Sequence, residues 1–93
     1  MARLTTKSGL EITVKMVNSF PVRKGPCDDD SLGYMERVRG INHSKKGARD
    51  LMTIRALQRG ATAIYMAGDS HQYSLARGKV IFTAYGDAYK PKD

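Results

Sequence analysis

The sequence predicts an α+β fold, with one principal helix packed on a small, mostly antiparallel sheet. Three observations point there. Residues 10–17 alternate apolar Ile12, Val14 and Met16 with Glu11, Thr13 and Lys15, the period-two pattern of a strand with one buried face. Residues 45–60 carry apolar side chains at helical spacing between a polar cap and a glycine. The β-favouring runs Ile64-Tyr65-Met66 and Val80-Ile81-Phe82-Thr83 flank a polar stretch that ends in glycine.

The chain of 93 residues is expected to form one domain, since a chain this short has too little interior for a second core. Residues 1–9 and 90–93 are expected to fray. With 41% hydrophobic and 27% charged residues, the composition is too apolar and too evenly mixed for a disordered tail. No stretch approaches the roughly 20 apolar residues that span a bilayer, and the first ten residues lack the apolar core of a signal peptide. The single Cys27 excludes an intrachain disulfide, which fits a reducing compartment. As written, the chain reads as cytoplasmic.

Taken in order, residues 10–17 are the first predicted strand. Residues 19–31 follow, where Pro21, Pro26, Gly25 and the three acids Asp28, Asp29 and Asp30 break any regular pattern and predict a long loop. Residues 32–38 read as a short strand through Leu32, Tyr34, Met35 and Val38, although Met35-Glu36-Arg37 also suits a helix start. Asn42 or Ser44 caps the helix beginning near Lys45, and Gly60 ends it. Its apolar line is Leu51, Ile54 and Leu57 with Ala48 beside them, and Met52 and Ala56 allow that line to shift by one residue. Strands over 61–67 and 79–85 are expected to pair antiparallel across a long polar connection, residues 69–78. The tail from Gly86 either extends the last strand or frays.

Chemistry is sparse. Cys27, His43 and His71 are the inventory of a thiol enzyme, but Cys27 stands beside three acids, which raise a thiol pKa rather than activate it. Asp28-Asp29-Asp30 lacks the alternating ligands and later Glu of a calcium loop, and no metal-site spacing joins these residues. The nine glycines are scattered singly, so no phosphate-cradling loop is present. No catalytic residue, metal or cofactor is assigned. Sixteen Lys and Arg against nine Asp and Glu give a formal charge of +7, which favours anionic partners. The residues that carry a nucleic-acid alternative are Lys45, Arg49, Arg55 and Arg59 on the predicted helix, with Lys46 among them and Arg37 and Arg39 just before it.

An early strand, Cys27 shortly before Leu32-Gly33, the segment Arg55-Ala56-Leu57-Gln58-Arg59-Gly60-Ala61-Thr62-Ala63-Ile64 and the closing Gly86-Asp87-Ala88-Tyr89 together resemble a group of small bacterial envelope lipoproteins. That group is similar in layout to the Rcs stress-sensor lipoprotein and to YbjQ-like domains. The resemblance spans about residues 10–90 and implies one principal helix across an antiparallel sheet. Where such proteins commonly carry a second cysteine, this chain has Lys90, so their disulfide is impossible here. The resemblance implies a periplasmic or envelope location if an upstream signal peptide was trimmed.

The function expected from these readings is a non-enzymatic protein-interaction or accessory domain, envelope- or stress-related by resemblance. Its working surfaces are expected in residues 20–30 and 69–78, because loops on a rigid scaffold carry function more often than the scaffold. A basic nucleic-acid-binding module and a small thiol or metal-dependent enzyme are the alternatives. A homodimer is expected, because a small open sheet leaves an edge strand unpaired.

Overall fold

A computed structural model of the chain describes residues 4–92. It has the expected α+β class. The elements run α1 (Val14–Ser19), β1 (Val22–Lys24), β2 (Leu32–Asn42), α2 (Lys45–Gln58), β3 (Ala63–Ser74) and β4 (Lys79–Pro91). The strands form one four-stranded sheet in the order β1-β3-β4-β2. Only the β1–β3 pair is parallel; β3–β4 and β2–β4 are antiparallel.

The strand expected over residues 10–17 is instead the short helix α1. Thr13, in extended conformation, caps it by accepting from the Met16 amide at 3.2 Å. Before it, Thr5 and Glu11 face each other across a tight turn, and the Ile12 amide donates to the Leu4 carbonyl at 2.8 Å. This segment lies on the outer side of α2, where Ile12, Val14 and Val17 border Ile54. The Thr13 cap and the Thr5–Glu11 bridge satisfy the backbone locally, and the period-two pattern goes unused.

Residues 22–24, expected in a loop, form β1, with Val22 beside Ile64. Pro21 stands just before it at the sheet edge, where its missing amide removes no ladder bond, and its carbonyl accepts from Ile64 at 3.0 Å. Strand β2 runs on to Asn42, which places Arg37 and Arg39 in the sheet rather than ahead of the helix.

The principal helix is bounded as expected. Ser44 accepts from the Gly47 amide at 3.0 Å, and Gly60, at φ 85°, closes a Schellman turn. In that turn Gly60 donates to Leu57 and Ala61 donates to Ala56. The buried line is Ala48, Met52 and Ala56, flanked by Thr53 and Leu57, one residue round from the expected Leu51 and Ile54. The sheet explains the shift. Beneath α2 lie Gly40, Ala84, Gly86 and Ala88, and a methyl group on Gly40 would run into the Ala48 carbonyl and the Met52 amide. The helix backbone comes so close over Gly40 that Ala48 and Ala56 face the sheet, with Met52 reaching past them to Gly86, and Leu51 and Ile54 turn sideways. Val38, Ile64 and Met52 complete the core.

The connection expected over 69–78 shrinks to the turn at residues 75–78. Residues 69–74 continue β3 in register with β4, from Asp69 opposite Ala84 to Ser74 opposite Lys79. The tail continues β4, and Lys90 and Pro91, expected to fray, pair with Gly33 and Leu32. Residues 1–3 and 93 of the segments expected to fray lie outside the described residues. The long ribbon gives a flat body of 47 × 35 × 19 Å.

Candidate interaction surfaces

Side chains alternate across a strand, so the register sorts the sheet into two faces. On one, Val38, Gly40, Ala84, Gly86 and Ala88 lie under α2. The directly opposed pairs Tyr34–Tyr89, Arg37–Asp87, Arg39–Tyr85 and Ile41–Thr83 share the other face. Among the described residues no helix packs on that second face. Tyr34 is 59% exposed there and Tyr85 and Tyr89 are half-buried. The Tyr34 and Tyr89 rings meet edge-on with centroids 5.6 Å apart, and Tyr89 meets Tyr65 in the same way at 5.3 Å. The Arg37 Nε donates to Asp87 Oδ1 at 3.0 Å, and that carboxylate holds the guanidinium more firmly protonated.

Tyr65 anchors one end of this face. It is 3% exposed, and its hydroxyl has no hydrogen-bond partner among the described residues. Burial pushes its phenol up, with Cys27 adding to the shift. Burial also raises Tyr89, again with Cys27 contributing. The loop carrying Cys27 is thus the cover of this end. The thiol itself donates to the Asp29 carbonyl, and Asp29 is held below its ordinary range by hydrogen bonds from the Ser31 hydroxyl and amide.

At the other end the β3–β4 ribbon runs past β2, which stops at Asn42 opposite Phe82. Lys45, at the start of α2, pairs with Asp69 at 3.6 Å and marks where helix cover ends. Beyond it the helix-side face carries His71 against Phe82 and then Tyr73 opposite Val80. Tyr73 is 57% exposed, Leu75 at the turn 89% and Val80 36%. The opposite face of the ribbon is polar. Ser70, Gln72 and Thr83 line a groove of about 560 Å³ that adjoins Tyr85 and Ile81.

The four helix cations do not form one stripe. Arg59 reaches Glu36 of β2 at 3.5 Å, with Arg55 one turn before it, whereas Lys45 reaches β3 on the opposite flank. Lys45 and Arg49 border two shallow grooves with Lys46, Asn18, Phe20 and Lys24, where Lys46 is paired with Asp50 at 2.9 Å. Cys27 lies at the end of the sheet near Tyr89, while His43 follows β2 and His71 sits on the ribbon, both at the far end. Among the described residues no three His, Cys, Asp or Glu side chains converge as metal ligands.

The open-face tyrosines Tyr34, Tyr85 and Tyr89 were not singled out from sequence as a surface, and Arg37 and Arg39 were named only as an extension of the helix cations. The signal was present as Arg37-x-Arg39 and Tyr85-x-Asp87-x-Tyr89, and it required β2 and β4 to be drawn at full length. No known protein family, curated protein or solved structure matches the chain.

Proposed function

We propose that this protein is a non-enzymatic interaction domain, and that the partner seated on its ribbon is a second copy of the same chain. The observation that carries this reading is the outer half of the β3–β4 ribbon, where Tyr73, Leu75 and Val80 stand exposed beyond the end of α2. β1 accompanies β3 only as far as Met66, so the far half of β3 also offers a free backbone edge. An apolar side and a free edge on one ribbon suit strand addition by an identical ribbon, which buries both at once. An accessory role in the envelope or in stress response is what the resemblance to small envelope lipoproteins implies, and fractionation of cells expressing the full gene tests that setting.

Light scattering across a concentration series tests the self-association. The expected result is a dimer that Tyr73→Glu with Leu75→Glu converts to monomer without loss of circular dichroism. A monomer at high micromolar concentration overturns it.

A further inference from the structure

We infer that the helix-free face of the sheet is a binding platform for single-stranded nucleic acid. Its tyrosines and arginines lie on the opposite side of the sheet from Val80 and Phe82, and the two surfaces meet only at the ribbon tip, where Tyr73 and Leu75 border the groove.

Single strands are bound by aromatic faces on which bases stack, set among cations that follow the phosphates. This face places both in register. Tyr34, braced edge-on by the half-buried Tyr89, stands exposed at one end, and Tyr85 lies four residues along β4 from Tyr89, a separation of ~13 Å at strand rise. Between and beside them Arg37 and Arg39 occupy alternate positions of β2, an edge strand of the sheet. Both arginines are exposed, and Arg39 stands directly opposite Tyr85. Asp87 holds Arg37 on the platform, and it is also the carboxylate that a phosphate would have to tolerate there. Past Tyr85 the face continues into the ribbon groove, where Ser70, Gln72 and Thr83 offer hydroxyl and amide groups to base edges. The formal charge of +7 brings a polyanion to the molecule, and the tyrosines select an unpaired strand, since a duplex keeps its base faces stacked away.

The helix cations make the control. Arg37→Gln with Arg39→Gln removes the same charge as Lys45→Gln with Arg49→Gln, and Lys45 and Arg49 lie on the helix side, away from the platform. Fluorescence anisotropy with labelled oligo-deoxythymidylate, oligouridylate and a duplex of equal length, at two salt concentrations, tests the assignment. Tight binding of either single strand over the duplex is expected, with the DNA and RNA arms separating the two sources. The Arg37/Arg39 variant is expected to lower the log–log salt slope by about 1.4 for two lost phosphate contacts, and the Lys45/Arg49 variant to leave it unchanged. Tyr34→Leu is expected to weaken binding about tenfold, as loss of one stacked base does. Asp87→Asn, which removes the carboxylate from the platform, is expected to tighten it. Equal affinity for duplex, equal effects of the two charge-matched variants, or no single-strand binding at physiological salt overturns the assignment. If Tyr34→Leu lowers the melting temperature, the two charge-matched variants still decide.

Discussion

Two kinds of residue set the local energetics: glycines that let the helix touch the sheet, and a tyrosine buried with its hydroxyl unpaired. A methyl group at Gly40 would meet the Ala48 carbonyl, the Met52 amide at 2.5 Å and the Leu51 Cβ at 2.9 Å. Two of these obstacles are backbone and can move only with the helix. Gly40→Ala is therefore expected to destabilise by about 3 kcal/mol, at the upper end of the usual overpacking range. At Gly86 the obstacles are the Ile64 Cγ2 and the Met52 Sδ, both on side chains, so Gly86→Ala is expected to cost about 1–2 kcal/mol. Urea denaturation of the two variants checks the order. Tyr65→Phe keeps the ring against Tyr89 and removes a buried hydroxyl that has no hydrogen-bond partner among the described residues, so it should raise the urea midpoint at neutral pH. Because burial raises the folded phenol, its stability contribution is intact below the unfolded tyrosine pKa of ~10 and is lost as pH climbs through the folded value. Tyr65→Phe should therefore also flatten the alkaline limb of the stability–pH curve, and an unchanged limb would show that another group controls it.

The principal helix is bounded at both ends by local chemistry written in its own residues. Ser44 satisfies the Gly47 amide at the start of α2, and the Schellman turn at Gly60 satisfies the carbonyls of Ala56 and Leu57 at its end. Ser44→Ala is expected to cost about 1 kcal/mol by thermal melt, and Ser44→Gly only a few tenths, because glycine keeps the extended cap conformation open to water. Equal losses from both would show that the hydroxyl is not the cap. The bulges between Tyr34 and Glu36 in β2 and between Met66 and Gly68 in β3 do a different kind of work. Each restores the phase of its strand, so that Tyr34 joins the tyrosine face while Val38 reaches the core.

At the scale of the molecule, stability is concentrated in β4, which lies between β2 and β3 and carries Ala84, Gly86 and Ala88 under the helix. The first segment is the opposite case, since α1 has no buried residue and touches the rest of the fold through the outer side of α2. Native-state hydrogen exchange is expected to find α1 amides opening well before those in the interior of β4, at free energies below global unfolding. Uniform protection would contradict that picture.

What the sequence determined by itself was the part governed by local chemistry. The Ser44 cap, the Gly60 stop and the helical spacing between them were legible, as were the strands around Ile64 and Ile81 and their antiparallel sense, because caps, positive-φ glycines and β-branched runs act within a few residues. Their register was not, since Ile64 lies opposite Ala88 and Ile81 opposite Gln72. Tertiary structure decided whatever depended on what lies opposite. Residues 10–17 alternate like a strand, yet Val14–Ser19 form a helix capped by Thr13. Residues 69–74 are polar enough to read as loop, yet each has a partner in β4. Leu51 and Ile54 lie on the predicted apolar line, yet the close approach of the helix to Gly40 and Gly86 puts Ala48, Met52 and Ala56 on the sheet. The tyrosine face became visible only through the full register of β2 and β4, since a side chain's partner across a sheet is fixed by pairing between distant segments and not by its neighbours in the chain.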